Sequence, residues 1–120
     1  MLVADDDMVF VELIRSRFKA QGIEVSAAFD AAQALMFAMR QQPDAILLDI
    51  RMPGGNGLDT LKKLKVSAKT AMIPVIVVTS LENPQAEQDA RSLGAAGFLR
   101  KPVSFDDVQR TLEIAIGSAG

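Results

Sequence analysis

Short runs of consecutive apolar residues alternate along this chain with stretches whose apolar positions recur at helical spacing. The runs are Leu2-Val3-Ala4, Ile46-Leu47-Leu48, Val75-Ile76-Val77-Val78 and Phe98-Leu99-Arg100, joined by a fifth, weaker one over Ile23 to Ala28. A run too short for a helix and apolar at nearly every position is the pattern of a strand covered on both faces. Strands of that kind alternating with helices predict a parallel sheet with helices packed on both sides.

The helical stretches carry their own start and stop signals. The first runs from about Met8 to Ala20, with Val9, Leu13, Ile14 and Phe18 as the apolar face, Arg15, Arg17 and Lys19 on the wet side, and Gly22 as its stop. Asp30 with Gln33 reads as a capping box opening a helix over Ala31 to Gln41, and Pro43 resets the chain for the third strand. Arg51 to Gly57 is a dense turn signal in which Gly54-Gly55 is a turn device, and Asn56 and Asp59 are placed to cap a helix reaching about Lys65. A fourth strand starts at Pro74 and ends at Thr79-Ser80; Asn83-Pro84 then opens a helix over about Pro84 to Leu93. Ser104 with Asp107 caps a last helix reaching Ile116. In the second helix Met36, Phe37 and Met39 read as packing residues. Residues 1–117 form the predicted domain and 118–120 a linker stub or tail.

The runs matter most for where they stop. Leu2-Val3-Ala4 ends at Asp5-Asp6-Asp7, Ile46-Leu47-Leu48 at Asp49, the fourth run at Thr79, and Phe98-Leu99-Arg100 at Lys101-Pro102. Parallel strands place their carboxyl ends along one edge, where open α/β sheets hold their ligands. Carboxylates, a hydroxyl and an ammonium therefore share one predicted pocket. Carboxylates ~4 Å apart repel by about 4 kcal/mol per pair at an effective dielectric of ~20, so the group calls for a cation.

Composition narrows the chemistry. A chain of 120 residues that is 49% hydrophobic suffices for one domain with a real core, and a net charge of -2 gives no basic footprint for nucleic acid. Without cysteine there is neither a disulfide framework nor a thiolate site. Without histidine, the commonest general base and metal ligand is missing, which leaves a hard, oxygen-bound cation with Mg2+ as the natural choice. No apolar run approaches a membrane span and no signal-type segment opens the chain, so a cytoplasmic location away from membranes is expected.

In order, spacing and context these residues resemble a two-component response-regulator receiver domain, of the chemotaxis-regulator type, over nearly the whole chain. The resemblance rests on Asp5 and Asp6 after the first strand, Asp49 before a Met52-Pro53 loop, Thr79 ending the fourth strand, and Lys101-Pro102 ending the fifth. It implies a doubly wound, flavodoxin-like (βα)5 fold with strand order 2-1-3-4-5. It also implies a phosphorelay switch that catalyses only its own phosphorylation and dephosphorylation. Asp49 would be the phosphoacceptor. Asp6 would bind Mg2+ directly and Asp5 mainly through water, with Asp49 and the backbone carbonyl of Arg51 as further ligands. Lys101 would face the phosphoryl oxygens, and Thr79 would sense them. Phe98 stands where the family's switching aromatic, usually tyrosine, is found, and Val103 where a phenylalanine is common. Leu81 and Arg51 are expected to shield the acyl phosphate from water. The partners implied are a histidine kinase or histidine phosphotransfer protein as donor and a downstream effector, with no direct nucleic acid. Asp7 is assigned to capping.

Two other functions compete. A phosphohydrolase resembling the haloacid-dehalogenase superfamily would use Asp5 as nucleophile, with Asp5 and Asp7 mimicking its Asp-x-Asp motif. It ranks lower because the chain has no room for a cap insertion and no paired carboxylates follow Lys101. A receiver-like scaffold that never takes phosphate is disfavoured by the intact acidic, threonine and lysine positions.

Overall fold

The computed structural model describes residues 1–52 and 56–119; the expected Pro53-Gly54-Gly55 turn lies outside the described residues. Strands β1 (Leu2–Ala4), β2 (Ser26–Ala28), β3 (Ile46–Leu48), β4 (Val75–Thr79) and β5 (Gly97–Arg100) alternate with helices α1 (Met8–Lys19), α2 (Ala31–Gln41), α3 (Gly57–Val66), α4 (Pro84–Ser92) and α5 (Phe105–Ala119). The strands form one parallel sheet in the order β2-β1-β3-β4-β5. Chain order reverses between β1 and β3, and in doubly wound folds the crevice at that reversal takes the ligand.

Alternation along each strand divides the interior in two. Leu2, Ala4, Ile46, Leu48, Val75 and Val77 face one layer, which also holds Ala34, Ala38, Leu61, Leu64, Ala86 and Ala90 from α2, α3 and α4. Val3, Leu47, Ile76 and Val78 face the other, filled by Val11, Ile14, Phe18, Val108 and Leu112 from α1 and α5. Each large apolar side chain fully removed from water contributes roughly 1.5–3 kcal/mol, which is why strands of three residues suffice when both faces are covered.

The capping signals resolve as read. Asp7, Asp30, Asn56 and Asn83 accept backbone N–H bonds from Phe10, Gln33, Leu58 and Gln85, and Ser104 Oγ accepts that of Asp107. The Gln33 side chain closes the capping box on the Phe29 amide, at 2.9 Å.

Four expectations change. β2 is shorter than Ile23–Ala28: Ser26 is the residue that pairs with Leu2, the first of β1, so residues 23–25 have no ladder to join. The buried seam of α1 is Phe10, Val11, Ile14 and Phe18, while Val9 is 82% exposed and Leu13 sits at the surface. In α2 the buried positions are alanines; Phe37 packs at the core's margin, but Met36 and Met39 are each 40% exposed. α5 runs past Ile116 to Ala119.

One glycine is required by close approach. Gly57 begins α3 against the backbone of Ile50, to which its N–H donates at 3.3 Å, and a Cβ there would collide with the Ile50 Cα. Because the obstacle is main chain, side-chain rearrangement cannot relieve it. Gly57→Ala is expected to destabilise the fold by about 2 kcal/mol or more, read as a lowered urea midpoint at unchanged slope.

Candidate functional site

Register brings the chemistry together. Ala4 pairs with Leu48 and Leu48 with Val77, so the residues that follow, Asp5 and Asp49, leave adjacent strands at the same level. The Asp5 N–H is bonded to Ala28 O and the Asp49 N–H to Ala4 O, both at 2.9 Å, which fixes both backbones. One oxygen each from Asp5, Asp6 and Asp49 can lie within 4.8 Å of the others. Asp5 and Asp49 are buried and Asp6, one residue farther beyond the sheet edge, is exposed.

Lys101, at the end of β5, reaches across to this group. Its Nζ donates to Asp5 Oδ2 at 2.7 Å and lies 3.6 Å from both Asp7 Oδ2 and Asp49 Oδ2. The ammonium also sits 4.6 Å from the centre of the Phe10 ring. Asp7 thus serves α1 as cap and Lys101 as a counter-charge. Asp5 Oδ1 accepts the Asp7 N–H at 2.9 Å, and Asp49 Oδ1 accepts the Arg51 N–H at 2.8 Å. That last bond fixes the Arg51 peptide beside the carboxylates.

One ammonium does not neutralise three carboxylates. Burial pushes the Asp5 carboxyl up to about 6, against the opposing pull of the Lys101 and Asp7 bonds and with the Asp49 charge adding to the rise. Burial works to lower Lys101, but its bond to Asp5 and the charges of Asp5, Asp49 and Asp7 hold it above the ordinary lysine value. At ~4.8 Å and an effective dielectric of ~20, each carboxylate pair repels by about 3 kcal/mol. The donor set is all oxygen, which suits a hard divalent cation and excludes a soft one.

The group opens into a cleft of about 670 Å3. Asp6, Asp49, Ser80 and Lys101 give it a polar floor, and Val9, Phe10, Leu13 and Val103 an apolar wall. Exposed Val9 and Leu13 therefore border the cleft rather than the core. Arg51 lines it too, whereas Leu81 packs at the margin of the first core layer. Thr79 is fully buried at the end of β4, its Oγ1 accepting the Leu81 N–H at 3.2 Å. Phe98 is half-buried, packed against the same layer, with the Arg100 guanidinium 5.4 Å from its ring centre.

The sequence reading missed Ser80, the Phe10 ring beneath Lys101, and Arg100. Arg100 was visible as a charge inside an apolar run, but only β5–β4 pairing shows what it reaches.

Residues 1–113 match the response regulator receiver domain family. The chain belongs to that family. The receiver is 41% identical over 108 residues to the response regulator PleD of Caulobacter vibrioides, covering 90% of this chain and 23% of that protein. It is 34% identical over 116 residues to the transcriptional regulatory protein ZraR of Escherichia coli, covering 97% of this chain and 26% of that protein. It thus spans about a quarter of the length of these relatives. Among solved structures, the receiver domain of the sensor histidine kinase PA1611 of Pseudomonas aeruginosa superposes with a TM-score of 0.86 at 28% identity, over 97% of this chain and 95% of that one. That structure holds a magnesium ion in its active-site cleft.

The receiver is a phosphoacceptor switch of two-component signalling. The haloacid-dehalogenase alternative finds no support in these matches. Its nucleophile, Asp5, has one oxygen bonded to Lys101 and the other to the Asp7 amide. No helix among the described residues is long and apolar enough to cross a membrane.

Because the Asp5 carboxyl is raised from 3.8 to about 6, the metal-free fold binds more protons than the unfolded chain between those values. The associated stability is present below pH ~4 and lost as pH rises through ~6, amounting to at most about 3 kcal/mol. In EDTA at pH 7, Asp5→Asn is expected to raise the midpoint of thermal unfolding, with the gain shrinking as pH falls toward 4.

Proposed function

We propose that Asp49 accepts a phosphoryl group from the phosphohistidine of a partner kinase or phosphotransfer protein. What supports this is the convergence of Asp5, Asp6, Asp49 and Lys101 on one cleft from the ends of three strands. A carboxylate oxygen of Asp49 attacks phosphorus, the P–N bond of the donor breaks, and an acyl phosphate forms. Phosphoryl transfer asks for in-line positioning and charge neutralisation more than for covalent chemistry. The bond from the Arg51 amide orients the Asp49 carboxylate, and Lys101 supplies positive charge at the oxygens of the transferred group.

Mg2+ fits the donor set, with Asp6, Asp49 and the Arg51 carbonyl as ligands and Asp5 holding it mainly through water. When bound it would neutralise carboxylate and phosphoryl charge together. Thr79 is the sensor: its Oγ1 accepts from Leu81, which leaves its proton free for a phosphoryl oxygen. Phe98 responds to the resulting movement, and Arg51 at the cleft shields the acyl phosphate. The receiver turns over no substrate beyond its own phosphorylation and dephosphorylation. An effector protein or domain reads the change on the face of α4, β5 and α5, without direct contact of the receiver to nucleic acid. A cytoplasmic location follows from the kinase partner.

Intact-mass measurement after incubation with acetyl phosphate and Mg2+ tests this: the parent gains one phosphoryl group and Asp49→Asn gains none. Lys101→Ala should accept phosphate at least about tenfold more slowly, having lost the charge that faces the transferred group. A parent whose mass stays unchanged with every phosphodonor overturns the reading. Metal affinity carries its own signature. Since Mg2+ must displace the Asp5 proton, its apparent affinity should be flat above pH ~6 and fall up to ~10-fold per unit below it, measurable by calorimetry.

A further inference from the structure

Arg100 makes contacts that the phosphoacceptor site does not require. It closes β5 in register with Thr79, so its Cα is held beside the end of β4 by the sheet. From there its Nε donates to the Leu81 carbonyl at 3.0 Å and its Nη2 to the Asn83 carbonyl at 3.3 Å. Its partners are main-chain atoms of the segment between β4 and α4, and the planar guanidinium spans two of them in a way a lysine head cannot. Asn83 is the N-cap of α4, and its carbonyl also accepts the Ala86 N–H. Both main-chain polar groups of Leu81 are therefore held, its N–H by Thr79 Oγ1 and its carbonyl by Arg100.

We infer that Arg100 is a positioning residue that clamps residues 80–83 in the resting arrangement and so sets how readily the receiver adopts its phosphorylated one. This rests on the proposed role of Thr79. When Thr79 shifts to place its hydroxyl proton on a phosphoryl oxygen, the Leu81 N–H bonded to its Oγ1 is drawn with it, while Arg100 holds the Leu81 carbonyl back. The sheet fixes the arginine's backbone, so movement of the segment toward the cleft stretches both guanidinium bonds. A contact made in one arrangement and lost in the other shifts the equilibrium between them by its full differential strength. The guanidinium over Phe98 adds to the same restraint, because that ring cannot leave its half-buried position without losing the cation.

The test uses the whole chain, with Arg100→Met to keep the aliphatic stem and Arg100→Lys to keep the charge. In the unliganded protein, hydrogen exchange at the amides of residues 81–83, 85 and 86 should accelerate about fivefold or more in Arg100→Met, with the sheet unchanged, and by less in Arg100→Lys. Beryllofluoride with Mg2+, a phosphoryl mimic, should bind Arg100→Met about three- to tenfold more tightly than the parent, and Asp49→Asn not at all. Unchanged exchange at those amides overturns the clamp. Faster exchange with unchanged or weaker beryllofluoride affinity overturns its role in the switch. A parent that fails to bind beryllofluoride overturns the phosphoacceptor reading instead, and the exchange rates still decide whether the clamp exists.

Discussion

The ion pair between Lys101 and Asp5 joins residues 96 positions apart in the chain, and the site depends on it. Asp5 is almost entirely removed from water, a position that an unpaired carboxylate would occupy only by taking a proton. Lys101 keeps it partly charged, and in doing so ties the end of β5 to the end of β1 across the crest of the sheet. The pairing is incomplete by design of the surroundings: three carboxylates share one ammonium. A domain built purely for stability would have an apolar residue or a neutral amide at one of these positions. The excess negative charge works against folding rather than for it, as the raised Asp5 carboxyl records.

The same logic explains why the site sits on such short strands. Strands of three residues are held by both core layers, so the sheet ends abruptly and each following residue emerges at a defined height. Asp5 and Asp49 need no long loop to meet, because the ladder has already aligned Ala4 with Leu48. Arg51 is fixed through its amide to Asp49, and Gly57 packs onto Ile50, so the start of the connection between β3 and α3 is anchored at backbone level.

Much of this was legible in the amino-acid sequence. Buried parallel strands write themselves as unbroken apolar runs, and helix starts write themselves as Asp, Asn and Ser two or three residues ahead of the amide they satisfy. Asp5, Asp49, Thr79 and Lys101 could be placed on one edge because a parallel sheet leaves no other place for strand ends. The rotation of α1 was not legible: Val9 and Leu13 fit a helical stripe with Ile14 and Phe18 as well as Phe10 and Val11 do, and only the packed structure shows Phe10 and Val11 in the core layer and Val9 and Leu13 on the cleft. Met36 and Met39 were misread because alanines suffice where α2 lies close to the sheet. Arg100 escaped notice for a related reason, since its partners are carbonyls, which every residue possesses.

Asp5 and Asp6 have opposite surroundings although they are neighbours in the chain, the first still bonded to the sheet through its N–H and enclosed, the second beyond the sheet edge and wet. The order of those two environments is set by Leu2, Val3 and Ala4 and not by the aspartates. Removing one residue from that tripeptide would draw Asp5 into the strand and carry Asp6 into the enclosed seat, with Asp7 following into the wet one. The acidic run of three would still read as intact, yet α1 would lose its cap and Lys101 would face a different carboxylate. Frame along the first strand, more than the identity of the acids themselves, decides which of them is which.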